Sequence, residues 1–450
     1  MSKKKLSLCM IVKNEERFLE DCLKSVQDVV DQIVIVDTGS TDGTLEIAKK
    51  YNTEIHRFKW RDDFSLARNE SIKYAKGDWI LWLDADERLL PESVPELKKL
   101  LQAQTKAVAY VVQIRNLQAD GRNYKISGAH RLFNNHKGIR FRGRIHEQVI
   151  QSVAELKGEE RSCNVSLEHL GYGLQKDEQD KKNRRNRKLL ERMVKEEPGN
   201  AYAHFTLAQN YGLTGEQEKA VKHYKIAYQN NTFETGMQCS LLNTMAEALM
   251  KLQRYEQAEK YCFESIGKIR EQVGAYYMLY RIAAARSQEE LALQRLLELE
   301  KQNKWLQTHS KKLSTDVLFS GDDLAYELAK NYEKTGRLKQ AMQQLQKLSD
   351  SQKEKAQVQQ RILNLALQCE EFFVAEKILQ KPEFQNELKY LDVLGVVKIK
   401  LQKFEEAIAI YEKLNKLSPN NGAVLKRLAG LYAKTGREED YRRVLSKLQL

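Results

Sequence analysis

The spacing of apolar residues changes near residue 176, and this change limits the folds open to the chain more than any other feature. Before it, short apolar runs alternate with amphipathic segments; after it, the pattern is almost entirely helical. A chain of 450 residues also exceeds what one core usually supports. We therefore predict an α/β domain at 1–175, a helical linker at 176–200 and an all-α domain at 201–450.

The first domain is predicted to hold a mixed, mainly parallel sheet, because continuous apolar strands that alternate with helices must be covered on both faces. The predicted strands cover residues 7–12, 32–37, 53–58, 79–86, 107–116, 126–133 and 139–149, and the helices between them cover 15–27, 45–51 and 64–75. Such sheets bind ligands beyond the carboxyl ends of their strands. Asp37, Asp84 and Asp86 lie at such ends, so we expect the functional site there.

Asp84 and Asp86 follow the buried run "WILWL" that begins at Trp79. Residues two apart in a strand point the same way and lie roughly 6.6 Å apart. A turn at the strand end would bring both carboxylates towards one cation, and Mg²⁺ and Mn²⁺ prefer such oxygen ligands together with water and phosphate. The alternative is a solvated strand end. The position after a buried strand favours the cation site.

Two further residues fit an anionic ligand at the same edge. Asp37 ends the strand "QIVIVD" and is followed by "TGSTDGT", whose small residues leave space for a ligand near a helix start, where anions are favoured. Asp37 would otherwise only cap this turn. Arg68, on the predicted helix before "WILWL", would match the geometry of a diphosphate, or would be a surface arginine.

The second half repeats a pattern of small and large residues every 34 positions. One unit places Leu207, Ala208, Tyr211, Ala220, Tyr224 and Ala227 in this frame, and later units place Leu391, Leu394, Gly395, Ala407, Tyr411, Pro419, Leu425, Leu428, Ala429 and Tyr432 in it. The pattern resembles the tetratricopeptide repeat, in which small residues let two antiparallel helices approach and stacked pairs form a solenoid with a concave binding face. A plain helical bundle is the alternative. The stretch 270–320 fits the frame poorly and is expected to be a distorted repeat.

The linker contains the basic run "KKNRRNRK" at 181–188, and the whole chain has a net charge of +13. A nucleic-acid arm and the exposed face of a charged helix would both look like this. Acidic residues flank the run and no stacking aromatic residues interleave with it, so we favour the helix and expect no nucleic-acid partner. We also expect no stable membrane insertion, since no apolar run approaches roughly 18 residues. The apolar part of the N-terminus is too short for a signal peptide, which predicts a cytoplasmic protein.

Four segments taken together resemble the family 2 glycosyltransferases with a GT-A fold. They are "SLCMIVKNEERFLEDCLKSV", "QIVIVDTGSTDGT", "WRDDFSLARNESI" and "GDWILWLDADERL", within roughly residues 5–175. The additions "RLF" (131–133), "FRGRIHEQV" (141–149) and "HLGY" (169–172), followed by the repeats, look like a narrower bacterial group, the peptide S-glycosyltransferases of the sublancin (glycocin) type.

The resemblance implies an inverting, metal-dependent hexosyltransferase of the EC 2.4 class. Its donor would be a nucleotide-sugar, a UDP-hexose such as UDP-glucose, and its cofactor Mg²⁺ or Mn²⁺. Asp37 would contact the nucleotide base, Asp84 the ribose or the metal, and Asp86 the metal and through it the diphosphate. The acceptor would be a peptide or protein Cys or Ser side chain, and the repeats would hold this acceptor or build a homodimer.

The base that takes the acceptor proton is predicted to be Glu147 in "RIHEQV", with His146 as a third metal or diphosphate contact. In a regular strand these neighbours point to opposite faces, so the two assignments compete unless a bulge or turn separates them. His169 is the competing histidine, and Asp62 and Asp63 are the competing bases.

Other functions stay open at this stage. The acceptor would alternatively be a cell-surface glycan or a lipid-linked acceptor. A nucleotidyltransferase also holds a metal at a diphosphate, but it usually has a glycine-rich loop after the first strand, and "MIVKNEE" has no glycine. A non-catalytic repeat adaptor is the alternative of another class, and intact Asp37, Asp84 and Asp86 argue against it.

Overall fold

The structure is a computed structural model that describes residues 4–117, 124–135, 138–170, 176–309, 315–385, 387–419 and 421–448. Residues 171 and 172 of the motif "HLGY" therefore lie outside the described residues. The chain forms two compact units, Met1–Ser320 and Gly321–Leu450. Among the described helices, none is both long and apolar enough to cross a membrane.

The first unit contains one mixed sheet. Its strands are β1 (Leu6–Val12), β2 (Gln32–Asp37), β3 (Thr53–Arg57), β4 (Trp79–Trp82), β5 (Glu87–Leu89), β6 (Ala107–Leu117), β7 (Tyr124–Asn134), β8 (Glu159–His169) and β9 (Thr315–Leu318). The helices between them are α1 (Leu19–Val26), α2 (Thr44–Lys49), α3 (Phe64–Lys73), α4 (Val94–Gln102) and α5 (Ile150–Glu155).

The strands are ordered β3-β2-β1-β4-β7-β6-β8-β5, and β9 pairs with β7. The first four strands in this order are parallel because α1, α2 and α3 connect them in the chain, whereas β7 runs antiparallel to β4 and β6. The residues of β1 and β4 are almost all buried, which shows that both faces of the sheet are covered at its centre. The carboxyl ends of β1, β2 and β4 therefore meet at one edge, as predicted.

The prediction of a strand at 139–149 is wrong. This segment is a loop with one isolated bridge between Arg142 and Gln148, and it leads into α5. Gly143 (φ 100°) and His146 (φ 54°) adopt left-handed backbone conformations that a regular strand does not allow. Sequence patterns also missed β8, because most of its first half is exposed and charged and shows no clean alternation.

The first unit continues as helices after the sheet. They are α6 (Lys176–Glu196), α7 (Ala201–Leu213), α8 (Gln217–Asn230), α9 (Thr235–Lys251), α10 (Tyr255–Lys268), α11 (Val273–Ala285) and α12 (Glu289–His309). The repeat residues of α7 and α8, such as Ala208 and Ala220, are fully buried, which lets the two helices pack closely. The stretch 270–320, which fits the repeat poorly, forms α11 and α12 and then supplies β9 to the sheet.

The second unit is all helical within the described residues. Its helices are α13 (Gly321–Lys334), α14 (Leu338–Gln346), α15 (Asp350–Lys353), α16 (Ala356–Gln368), α17 (Phe372–Leu379), α18 (Pro382–Gln385), α19 (Leu388–Lys400), α20 (Phe404–Leu417), α21 (Gly422–Thr435) and α22 (Glu438–Leu448). A Cβ atom on Gly395 would lie 2.6 Å from the ring of Tyr411. The small residue at this repeat position is thus required by the close approach of α19 and α20.

The secondary structure changes class between β8 and α6, near the predicted boundary at residue 176, but the compact units divide at Ser320 and Gly321. The reason is that β9 pairs with β7 and that α6 and α7 pack against the loop at 143–148. The helices of the first unit are therefore part of the same compact body as the sheet.

Candidate active site

The turn that follows β4 is closed by hydrogen bonds between its own residues. The backbone N–H of Glu87 donates to Asp84 O at 3.0 Å, and the backbone N–H of Asp84 donates to Glu87 Oε2 at 3.0 Å. The Glu87 side chain is 1% exposed, whereas that of Asp84 is 37% exposed. The turn thus directs Glu87 inwards and leaves the Asp84 side chain partly exposed.

Two arginines bind this turn. Arg68 Nη2 lies 2.6 Å from Asp84 Oδ1, and Arg131 Nη2 lies 2.5 Å from Glu87 Oε1 and 3.6 Å from Asp84 Oδ2. Both guanidinium groups also lie against the ring of Trp82, 4.1 Å (Arg68) and 3.4 Å (Arg131) from its centroid. The pairing of β7 with β4 brings Arg131 to this place.

The arginines set the charge of the turn. Desolvation opposes the charge on Asp84, but Arg68 and then Arg131 outweigh it and hold the pKa of Asp84 well below its usual range. Desolvation raises the pKa of Glu87 to about 7, although Arg131 opposes this rise. Sequence reasoning gave no role to Glu87 or Arg131. The signal was present, since a third carboxylate follows the Asp-x-Asp triplet and needs a partner if it is buried.

Arg68 also binds Glu147, with Nε donating to Oε1. Arg68 is buried and so is not the surface arginine that the sequence left open, and its Nε and Nη2 each donate to a carboxylate. Its contact with a diphosphate stays a prediction. In this structure Arg68 fixes Glu147 and Asp84 relative to each other.

In the loop at 143–148 the neighbours His146 and Glu147, whose predicted roles compete, have side chains in different environments. His146 has a left-handed backbone (φ 54°) and its side chain is exposed, whereas the side chain of Glu147 is 7% exposed and turned towards Arg68. Desolvation, and then the charge of Lys182, lower the pKa of His146 to about 4 although much of its surface is open.

The helices hold this loop in place. Gln148 Nε2 donates to the Tyr202 hydroxyl at 2.7 Å, and Arg144 Nε lies 2.9 Å from Glu196 Oε2. The side chain of Ile145 belongs to the same apolar cluster as Leu189 and Leu190 of α6. Because these contacts flank Glu147 in the chain, α6 and α7 help to set the position of the candidate base, together with Arg68.

The helix α3 holds the other side of the loop. Asn69 Nδ2 donates to Phe141 O at 2.9 Å, and the backbone N–H of Phe141 donates to Asn69 Oδ1 at 2.8 Å. The competing bases have structural partners in the same region: Asp63 caps α3 at the Leu66 N–H, and Asp62 accepts from Trp60 Nε1 at 2.9 Å.

Asp86 pairs with a histidine, and that histidine is His169, the competitor of His146. The distance from His169 Nε2 to Asp86 Oδ2 is 3.2 Å, and His169 Nδ1 lies 2.8 Å from Asn116 Oδ1. Desolvation disfavours the charged imidazole, but the hydrogen bond and charge of Asp86 outweigh it and raise the pKa of His169. The pairing of β8 with β5 and β6 brings these residues together, and no local sequence pattern encodes it.

Asp37 accepts hydrogen bonds from its own turn. Its Oδ1 lies 2.9 Å from the backbone nitrogen of Ser40, and its Oδ2 lies 3.2 Å from that of Gly39. Asp37 is 4% exposed. The capping role that the sequence allowed is thus present, and it fixes the carboxylate at the carboxyl end of β2.

Glu15 adds a carboxylate that sequence reasoning passed over. Its backbone N–H donates to Thr44 Oγ1 at 2.7 Å, which ties the end of β1 to the start of α2. Desolvation, followed by the charges of Asp86 and Asp84, raises the pKa of Glu15 to about 7. Glu15 therefore lies within the field of the two aspartates.

The described residues contain no group of three or more acidic, histidine or cysteine side chains arranged as a metal cage. Asp86 and His169 nevertheless fit a hard divalent cation, because such ions often take one or two protein ligands and fill the remaining positions with water and substrate phosphate. Asp84 fits this role less well, since two arginines already bind its carboxylate.

Comparisons with known proteins assign families to two parts of the chain. Residues 7–154 match the family described as glycosyl transferase family 2, and residues 398–450 match the tetratricopeptide repeat. The chain is 36% identical over 247 residues to a TPR repeat-containing protein of Synechococcus elongatus, covering 54% of this chain and 60% of that protein. It is 31% identical over 224 residues to the SPbeta prophage-derived glycosyltransferase SunS of Bacillus subtilis, covering 49% of this chain and 52% of SunS.

The chain spans just over half the length of these two relatives. The family 2 match contains the strand ends and α3, and thus Asp37, Arg68, Asp84, Asp86 and Glu147, while His169 lies after it. The chain therefore carries a glycosyl transferase family 2 domain followed by tetratricopeptide repeats.

Proposed function

We propose that this protein is an inverting glycosyltransferase that moves a sugar from a nucleotide-sugar to a peptide or protein side chain. The observation that carries the proposal is the joined set of Asp84, Arg68 and Glu147 at the carboxyl edge of a family 2 sheet. It supplies an anchored, partly exposed carboxylate beside a buried carboxylate suited to proton transfer. The printed name of SunS, a glycosyltransferase, supports the same activity.

The donor would bind along the strand ends, as a UDP-hexose such as UDP-glucose. Asp37, fixed by its turn at the end of β2, would face the nucleotide base, and Asp84 would accept from the ribose hydroxyls. The arginine pair keeps Asp84 ionised, so that it acts as a hydrogen-bond acceptor at all physiological pH values.

Asp86 and His169 are the residues that would hold Mg²⁺ or Mn²⁺, with Asn116 orienting the imidazole. A bound divalent cation would supply positive charge beside the diphosphate. This assignment replaces His146 with His169 and leaves Asp84 as a contact of the donor.

The chemical step would be a direct displacement at C1 of the sugar. The acceptor nucleophile attacks while the bond from C1 to the diphosphate oxygen breaks on the opposite face, which inverts the anomeric centre. Glu147 would take the proton of the nucleophile, and Arg68 would hold Glu147 at the attacking side. Positioned bases of this kind typically contribute about 10²–10⁴-fold.

The acceptor is proposed to be a peptide or protein with a Cys or Ser nucleophile, because solenoid repeats offer a concave surface suited to an extended chain. A glycan or lipid-linked acceptor would need no such surface. A thiol would also make fewer demands on Glu147, since it ionises far more easily than a hydroxyl.

The test is turnover of a panel of UDP-sugars with Mn²⁺, measured as released UDP and as sugar transferred to peptides with Cys or Ser. We expect Asp86→Asn and His169→Ala to lower turnover by about 10²-fold or more. The matched control is Asp78→Asn at the opposite end of β4, where Asp78 accepts from the backbone of Lys5. Full activity of Asp86→Asn, or full activity of the wild type in excess chelator, would contradict the metal dependence in the proposal. If the wild type turns over no donor, the adaptor alternative stands.

A further inference from the structure

The basic run of α6 has one face that the proposed function does not yet use. Lys182, Arg185, Leu189 and Met193 are spaced by three or four residues, so they share one face of the helix. Leu189 packs in the same apolar cluster as Ile145, and the Met193 methyl lies 3.8 Å from the Cβ position of Gly143. This face of α6 therefore points to the loop that carries Glu147.

The two cations continue that face towards the site. The guanidinium of Arg185 lies 5.4 Å from the ring centroid of Phe64, the first residue of α3. Phe64 lies one helical turn before Arg68, which binds Asp84 and Glu147. Lys182 lies within electrostatic range of Glu15 and His146.

Neighbouring residues of α6 have structural partners. Arg187, for example, donates from Nε to Asn210 and pairs with Glu216 at 2.5 Å. Among the described residues, by contrast, neither Lys182 nor Arg185 forms an ion pair with a carboxylate, and Arg185 donates only to the Asn186 side chain. Both cations lie within electrostatic range of the Glu15 carboxylate but form no ion pair with it, so their charge is available to an anionic ligand.

We propose that Lys182 and Arg185 form a cationic subsite on α6 that binds the diphosphate of the donor. The inference rests on the proposed function for the identity of the ligand. The diphosphate carries the largest negative charge of a nucleotide-sugar and must lie between the strand ends and the loop of Glu147. Arg68 uses its Nε and Nη2 to hold Glu147 and Asp84, and α6 adds two cations that no ion pair among the described residues neutralises.

The experiment measures the binding of UDP, uridine and pyrophosphate to the full chain by calorimetry, with Mn²⁺ and with chelator. The double variant Lys182→Ala/Arg185→Ala is expected to weaken UDP and pyrophosphate at least about tenfold in both conditions, since charge-assisted hydrogen bonds are lost. Binding of uridine, which has no phosphate, should not change. Lys182→Gln/Arg185→Gln should repeat the result and exclude a loss of helix structure.

The matched control is Lys181→Ala/Arg184→Ala, which removes the same charge from exposed positions of the same helix. Equal weakening in both double variants would show a general effect of net charge and overturn the proposal. The proposal would also be overturned if Lys182→Ala/Arg185→Ala had an unchanged affinity for UDP and a raised KM for the acceptor. That result would assign this face of α6 to acceptor binding. If the wild type transfers no sugar but the first variant alone loses pyrophosphate, the subsite stands and the proposed function fails.

Discussion

The two walls of the candidate site are built in different ways. The turn from Asp84 to Glu87, the sheet wall, is held by its own hydrogen bonds and by arginines on neighbouring elements of the sheet domain. The loop at 143–148, the helical wall, is held by Arg68 of α3 through Glu147 and also by α6 and α7, and its contact from Gln148 to Tyr202 spans 54 residues. The comparison teaches that the residues that hold the candidate site extend beyond the last residue matched by the family, residue 154.

The largest expected effect comes from removing α6 and α7, the helices that support the helical wall. A chain that ends after residue 175 should lose donor hydrolysis and most of its stability, because the loop at 143–148 loses α6 and α7 and β7 loses β9. A chain that ends at Ser320 should keep donor hydrolysis, since it retains the first compact unit. Released UDP and a urea unfolding curve measure the two effects. Equal hydrolysis by both shortened chains would show that the helices do not support the site.

The sheet wall could be predicted from sequence because it depends on local patterns. Buried runs with small-residue turns define β1, β2 and β4, and the carboxyl ends of parallel strands must share an edge. This placed Asp37, Asp84 and Asp86 together. Sequence reasoning also gave Glu147 a place near them, but through the quoted resemblance and a strand that does not form.

The partner of Asp86 and the conformation of the loop at 143–148 could not be predicted, because both depend on pairings between distant segments. The contact of His169 with Asp86 requires β8 to lie beside β5, and the exposure of His146 requires a left-handed backbone in the middle of a basic run. Neither property leaves a periodic signal. The poor repeat fit of 270–320 was the one visible sign, and it marks the segment that supplies β9.

The second largest effect is expected at Arg68, which joins the two walls. Arg68→Ala leaves Asp84 and the buried Glu147 without their shared partner, so we expect a loss of about 3–5 kcal/mol in the free energy of unfolding and no detectable transfer. Lys73→Ala on the same helix breaks only an exposed pair with Glu70 and should cost at most about 1 kcal/mol. Similar unfolding free energies for the two variants would contradict the role of Arg68 as the link.

A smaller effect is expected when the helical wall keeps its shape and loses only its proposed base. Glu147→Gln can still accept from Arg68 Nε, and it should lower kcat at least about 10²-fold with little change in donor affinity. Glu155→Gln, which changes an exposed partner of Arg142, is the control. A wild-type kcat in Glu147→Gln would show that Glu147 is not the base. The base would then have to belong to the acceptor, since Asp62 and Asp63 have structural partners.

The smallest effect is expected at the contact between α7 and the loop. Tyr202→Phe removes the hydroxyl that accepts from Gln148 Nε2, a bond worth about 1 kcal/mol, next to Glu147 in the chain. The loop should then populate conformations in which Glu147 is misplaced, so kcat should fall a few-fold while the affinity for UDP stays the same.

The matched control is Tyr228→Phe, which removes a hydroxyl bonded to Glu264 at 3.0 Å elsewhere in the first unit. Both variants should lose a similar free energy of unfolding, but only Tyr202→Phe should lower kcat. If both lower kcat equally, or neither does, α7 stabilises the fold without setting the position of the base. In that case distant helices support one wall and not the other, but this difference has no effect on kcat.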